Sequence, residues 1–338
     1  MSVQATVPST LPTPTEFGET FSSLEREIGK VVVGHQDAVR RILVAFFAGG
    51  HVLIEGVPGI GKTLIVRSLG QALALSFSRV QFTIDLMPAD VTGTRMLEEG
   101  ADGHRRMVFH PGPLFAHVML ADEINRATPK TQSALLEAMQ ELQVTVAGTS
   151  HPLPSPFFVL ATLNPIEMEG TYPLPEAQLD RFLFKVPLGY PGIEELREIV
   201  RETTGAIAPE IHPVFSDEPA RRVNELRRLV REVIVAPSVE EYVAALVRET
   251  VPDVTRDERV KSYVSFGSSP RGAQALILGA KVFALLNGRV NVAFADVEAV
   301  AVPALAHRLV VNFAAETEGV TPASIVDHLL EVGKKWQR

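Results

Sequence analysis

HVLIEGVPGIGKTLIVRSLGQAL, residues His51–Leu73, reads as a strand, a glycine-rich loop and a helix. Val52, Leu53 and Ile54 form a short apolar run suited to a buried strand. Gly56, Gly59 and Gly61 punctuate the loop, which ends in Lys62-Thr63. From Leu64 onward Leu64, Ile65, Leu69, Ala72 and Leu73 recur at helical spacing. The spacing G-x-x-x-x-G-K-T over Gly56–Thr63 is the P-loop pattern, here with a strand before it and a helix after it. Glycines allow backbone conformations that a Cβ would block, so successive N–H groups can turn inward around phosphate oxygens at a helix N-terminus. Lys62 then reaches the β- and γ-phosphates, and the Thr63 hydroxyl is placed to ligate Mg²⁺.

The rest of the composition narrows the function classes. The chain has 338 residues, enough for about two domains. Hydrophobic residues make up 46%, which supports a substantial core. The formal net charge is −8, with 32 Lys+Arg against 40 Asp+Glu, so a broad basic surface for nucleic acid is not expected. There are no cysteines, which removes disulfides, thiol catalysis and cysteine-ligated metal. No apolar run reaches membrane-spanning length, and no signal peptide stands out at the N-terminus; the expectation is a cytoplasmic protein.

Around the P-loop the chain divides into three parts. Residues 1–16, with Pro8, Pro12 and Pro14 among Ser and Thr, read as a disordered arm. Residues 17–190 read as an α/β core with a mainly parallel sheet flanked by helices. Residues 191–338 are helical almost throughout and read as a linker and a small all-helical lid, after a Pro- and Gly-containing boundary at Val186–Pro191. Two hairpins interrupt the core, one near residues 96–110 around Asp102-Gly103 and one near residues 142–154.

Further chemistry-bearing residues stand at the ends of apolar runs. HVMLADE, His117–Glu123, is a strand closing in Asp122-Glu123 and expected beside the P-loop strand. Asp122 can hold Mg²⁺ through water, and Glu123 can polarise an attacking water as general base. FFVLAT, Phe157–Thr162, leads into Asn164-Pro165; such an asparagine serves as a turn residue or orients the nucleophilic water. Arg181 stands near the end of EAQLDRF, Glu176–Phe182, a place where an arginine meets a helix dipole or solvent. Arg271, in the first turn of the helix after SSP, faces an unfavourable dipole and points to a nearby anion.

The order of these elements resembles the AAA+ ATPases. VVGHQDAV, TIDLMPADVTG, LADEINRA, ATLNPIE, LPEAQLDRF and SPRGA are similar to the MoxR family in particular, and the resemblance covers roughly residues 20–335. It implies Walker A roles for Lys62 and Thr63 and Walker B roles for Asp122 and Glu123. It implies sensor 1 at Asn164, an arginine finger at Arg181 and sensor 2 at Arg271. The nucleotide-binding set it implies is Val33, Gly34, Gly56, Pro58, Gly59, Ile60, Gly61, Lys62, Thr63 and Leu64, with Val33 and Gly34 against the adenine. Met96–His110 is similar to the helix-2 insert of that clade, and Leu142–Pro154 to its pre-sensor hairpin; the role of Arg126 stays open. The implied cofactors are ATP and Mg²⁺. The implied assembly is a homo-oligomeric ring, usually a hexamer, with ATP at its interfaces. The implied work is chaperone-like maturation or activation of a client enzyme complex, often with a von Willebrand factor A-domain partner. On this reading Arg181 acts on a neighbouring subunit, and Arg271 on the nucleotide of its own chain.

Two rival readings follow from the residues. His104, Arg105, Arg106 and His110 give the first hairpin a modest basic cluster, as a nucleic-acid motor would need. A nucleotide-gated binding module without turnover would lack Glu123 or Arg181, and both are present.

Overall fold

The computed structural model describes residues 11–99, 104–164, 171–205 and 209–336. The first helix, α1 (Pro14–Gly29), starts earlier than the sequence pattern suggested. Thr13 caps it: the Glu16 N–H donates to Thr13 Oγ1 at 3.2 Å, while the Glu16 carboxylate accepts the Thr13 N–H at 2.6 Å. This reciprocal capping draws residues 14–16, assigned above to the disordered arm, into the folded core. Residues 1–10 lie outside the described residues.

The core holds a five-stranded, all-parallel sheet. After α2 (Gln36–Ala48), β1 (Val52–Glu55) leads through the P-loop into α3 (Lys62–Leu73) and β2 (Phe77–Gln81). The short α4 (Pro88–Thr92) opens onto the hairpin β3 (Gly93–Glu99) and β4 (Arg105–Pro111), whose tip near Asp102-Gly103 lies outside the described residues. Then come β5 (Val118–Asp122), α5 (Pro129–Glu141), the second hairpin β6 (Gln143–Val146) and β7 (Thr149–Pro152), β8 (Phe158–Leu163), α6 (Glu176–Leu179) and β9 (Phe184–Pro187). The strand order is β2-β5-β8-β1-β9, all parallel. The Asp122-Glu123 strand is therefore not the neighbour of the P-loop strand; β8, which ends towards Asn164, lies between them. Alternation in β1 fixes its two faces. Val52 and Ile54 join one apolar cluster, and Leu53 joins the cluster on the opposite face.

The larger cluster does not stop at the core. It runs from Phe17 and Phe21 of α1 through Phe46, Phe47, Phe158 and Phe184 to Leu276, Val300 and Leu329 of the C-terminal helices. Those helices are α7 (Ile193–Thr204), α8 (Pro219–Glu232), α9 (Pro237–Glu249), α10 (Glu258–Tyr263), α11 (Pro270–Leu286), α12 (Phe294–Leu305), α13 (Phe313–Glu318) and α14 (Pro322–Gly333). The lid is not purely helical: β10 (Val264–Phe266) and β11 (Val310–Val311) pair as a short antiparallel ribbon. Helix α11 packs on α1 and α2 as well as on α12, so the lid is seated against the core.

Candidate active site

Parallel strands gather their C-terminal ends at one edge of the sheet, and the P-loop leaves β1 at that edge. Gly59 and Gly61 take φ of 83° and 91°, the left-handed region that only glycine enters freely. Gly61 caps α3, whose first residues are Lys62 and Thr63. Lys62 is buried, and its Nζ donates to the Gly56 carbonyl at 2.8 Å. Burial pulls its ammonium below the usual lysine range, against the opposing pull of Asp122 and Glu123. Pro58, Gly59, Gly61, Lys62, Thr63 and Leu64 share one cavity with Arg79, Gln81, Asp122 and Glu123.

Asp122 and Glu123 are fixed by residues that the sequence pattern did not single out. Thr162 Oγ1 donates to Asp122 Oδ1 at 2.7 Å and accepts the Glu123 N–H at 2.8 Å. Arg79 holds the other oxygen of Asp122 at 2.7 Å. Glu123 adopts φ 54°, ψ 52°, a left-handed backbone costing a non-glycine residue about 1–3 kcal/mol. Its carboxylate accepts from Gln81 Nε2 at 2.7 Å and from Arg126 at 3.2 Å. Gln81 lies opposite Asp122 in the ladder, and that register, invisible without strand pairing, is why it reaches Glu123. Asn164, 3% exposed, stands just beyond the C-terminal end of β8 at the same sheet edge, with Gly56 bonding to Leu163 beside it. Thr63 and Asp122 offer hard oxygen donors. Among the described residues no three His, Asp or Glu side chains group as a metal cage.

A second cavity continues from the P-loop. Val31, Val32, Val33, His35, Ile60 and Leu64 line it with Tyr190, Leu196 and Ile199, and at about 380 Å³ it is within the range of small-molecule sites. Its apolar walls fit a planar base, and it shares Pro58, Gly59, Gly61 and Leu64 with the phosphate cavity. His35 Nε2 contacts the Ile60 carbonyl at 3.1 Å, tying the Val33 segment to the P-loop. Gly34, at φ 80°, passes so close to Glu195 that an added Cβ would meet its Cδ at 3.0 Å. Helix α7, read above as linker, thus forms a wall of this pocket.

Arg181 and Arg271 stand elsewhere. Arg181 precedes β9, which pairs in parallel with β1 through Phe184 and Val52, so it lies at the N-terminal edge of the sheet. The four residues of β1 alone separate the two edges by roughly 13 Å. Arg271 lines the same cleft as Arg181, with Gly49, His51, Gln140 and Asp180, and none of these residues lines the P-loop cavity. Its guanidinium is 3.8 Å from Asp180 and 3.5 Å from Gln140. The expectation that Arg271 serves the nucleotide of its own chain is not met here. The reason is the seating of α11 on α1 and α2, which puts Arg271 beside Asp180 and Arg181 at the N-terminal ends of the strands.

Comparison with known proteins agrees with this architecture. The AAA family model, described as an ATPase family associated with various cellular activities, matches residues 51–184, and an AAA lid-domain model matches residues 256–329. Chaperone MoxR1 of Mycobacterium tuberculosis is 42% identical over 315 residues, covering 91% of this chain and 81% of that protein. Protein MoxR of Methylorubrum extorquens is 33% identical over 315 residues, covering 87% and 89%. A crystal structure from Cytophaga hutchinsonii, described as that of a candidate ATPase, superposes with a TM-score of 0.85 at 39% identity over 94% of this chain and 95% of that one. With the parallel sheet, the phosphate cradle and the lid in place, the chain belongs to the MoxR family of AAA+ ATPases.

Proposed function

We propose that this ATPase hydrolyses Mg²⁺-bound ATP at sites shared between neighbouring subunits of a ring, a hexamer on the family pattern. The observation that carries the reading is the separation of the half-sites. Lys62, Thr63, Asp122, Glu123 and Asn164 gather at one sheet edge, and Arg181 with Arg271 at the other. In the shared site Lys62 and the P-loop N–H groups bind the phosphates, Glu123 polarises the attacking water and Asn164 orients it. Thr63 and Asp122 would hold a Mg²⁺ ion, which would supply neutralisation of phosphate charge there. Arg181 and Arg271 of the adjacent subunit approach the γ-phosphate and stabilise the charge that develops there; an arginine supplied in this way is worth roughly 10³–10⁵ in rate. Val33, Gly34, Ile60 and the α7 wall hold the base.

The work done with that energy is chaperone-like remodelling or activation of a client enzyme complex, with a von Willebrand factor A-domain protein as adaptor. The β3–β4 hairpin supports a protein client: Met96, Leu97 and Met107 are each more than half exposed, apolar side chains on both faces of the ribbon. Two of its basic residues face acids, Arg105 with Glu99 at 3.7 Å and His110 with Glu98 at 2.8 Å, which weakens the case for nucleic acid. No helix among the described residues is long and apolar enough to cross a membrane, and the reading places the work in the cytoplasm.

Subunit mixing tests the shared site. Arg181→Ala and Glu123→Gln should each be nearly inactive alone, and mixing them with subunit exchange should restore part of the ATPase activity. If subunits exchange and no activity returns, Arg181 does not act across an interface.

A further inference from the structure

A buried arginine of the lid grips the segment that carries Arg181. Arg308 lies in the turn after α12, with its side chain 3% exposed. Its Nε donates to Asp180 Oδ1 at 2.8 Å. Nη2 donates to the carbonyls of Asp180 at 3.1 Å and Phe182 at 2.7 Å. Nη1 donates to the Leu183 carbonyl at 3.2 Å and to the Ala304 carbonyl at the end of α12. A guanidinium presents its donors in one rigid plane, so this fork fixes the backbone on both sides of Arg181.

The same aspartate reaches the lid a second time. Asp180 Oδ2 accepts from Ser269 Oγ at 2.8 Å. Ser269 caps α11, and its Oγ accepts the Arg271 N–H at 3.1 Å. Asp180 Oδ2 also lies 3.8 Å from the Arg271 guanidinium. One continuous set of bonds therefore joins the backbone around Arg181, the buried Arg308, Asp180, Ser269 and the helix end bearing Arg271.

We propose that Arg308 and Asp180 are positioning residues that lock Arg181 of the core and Arg271 of the lid into one unit, which is presented to the phosphates held by the next subunit. The proposal rests on the shared-site reading above. Arg181 follows a four-residue helix and carries a long side chain, so its aim depends on a fixed backbone. A misplacement of 1 Å at a reacting group costs about 10²-fold in rate. Because the clamp spans core and lid, a shift of the lid in one subunit moves the arginine pair seen by its neighbour. The clamp thereby links the lid of one subunit to turnover in the adjacent site, without altering nucleotide binding in its own.

Arg308→Gln and Asp180→Asn test this in mixed rings. Each variant alone should lose about 10²-fold in kcat while binding a fluorescent ATP analogue as the wild type does. Mixed with Glu123→Gln, each should recover activity as Arg181→Ala does; mixed with Arg181→Ala, neither should recover any, because both lesions then lie on the same face of the subunit. A residue needed only for general folding would fail with both partners. Failure with Glu123→Gln while the Arg181→Ala and Glu123→Gln pair recovers overturns the proposal, as does recovery with Arg181→Ala. Failure of that control pair overturns the shared site itself and the clamp with it. Asp180→Asn keeps the shape of the aspartate and decides the question alone if thermal melting shows Arg308→Gln to be unfolded.

Discussion

His51 stands at the entry to β1, and its ring is buried. Its Nδ1 accepts the Val159 N–H at 3.0 Å, which leaves Nε2–H to donate to the Met139 carbonyl at 3.2 Å. Both nitrogens of the neutral ring are thus used, and a second proton would have to sit on Nδ1 against an N–H donor. Burial, reinforced by the nearby Arg227 guanidinium and only partly offset by the Met139 bond, holds the ring at about 4 instead of 6.5. Above pH 6.5 the ring is neutral in folded and unfolded chains alike, and its contribution to stability is fully present. Between pH 6.5 and about 4 the unfolded chain takes up a proton that the folded chain refuses, so stability falls as pH falls. At 1.36 kcal/mol per pH unit the loss over that interval is about 3 kcal/mol, a large share of a typical domain's 5–15 kcal/mol. Urea unfolding followed by circular dichroism at steps from pH 7.5 to 4.5 measures it, with His51→Gln as the reference. Glutamine can still donate to Met139 but does not titrate, and the carboxylates common to both proteins cancel in the comparison. The variant should start lower at pH 7.5 and lose less on acidification. Parallel curves for the two proteins across that range would refute the reasoning.

Three further outcomes are expected. Lys62→Ala removes the buried ammonium that faces the phosphates, and ATP affinity measured by titration calorimetry should drop strongly; wild-type affinity would undo the P-loop assignment. Glu123→Gln should bind ATP normally and turn over roughly 10²–10⁴-fold more slowly, as expected for loss of a general base, and near-normal steady-state turnover would move that role to another residue. Replacing Glu99–Arg105 with a short Gly-Ser link should leave basal ATPase activity largely intact and abolish client activation in a reconstituted assay, whereas loss of folding would assign the hairpin a structural part.

The sequence made the phosphate cradle legible because its physics is local: left-handed glycines, an apolar strand before them and a helix after them all lie within His51–Leu73. The start of the helix that bears Arg271 is legible for the same reason, since SSP precedes it, and the structure has Ser269 as its cap and Pro270 in its first turn. What depended on pairing across the sheet was not. β9, the short FKVP segment that runs into the Pro- and Gly-containing stretch after Arg181, carries an alternating lysine and a terminal proline and has no clear strand signal, yet it flanks the P-loop strand. Thr162 and Gln81 act on Asp122 and Glu123 only because β8 and β2 lie on either side of β5. The position of Arg271 depended on how the lid is seated. That is decided by the apolar surfaces of α1, α2 and α11 meeting in three dimensions, and not by any spacing near Arg271 itself.

The parallel sheet that sets the phosphate cradle at one edge and the arginines at the other gives the subunit a head and a tail. If the site is shared between subunits as proposed, a two-fold pairing would bring like ends together and complete no site, and productive contacts would be head-to-tail. An open arc built that way always carries one fewer complete site than it has subunits, and only closure supplies the last. In such a ring, closure would be a catalytic event as well as a structural one, and a protein that wedged the ring open at a single seam would silence that seam while leaving every other interface competent.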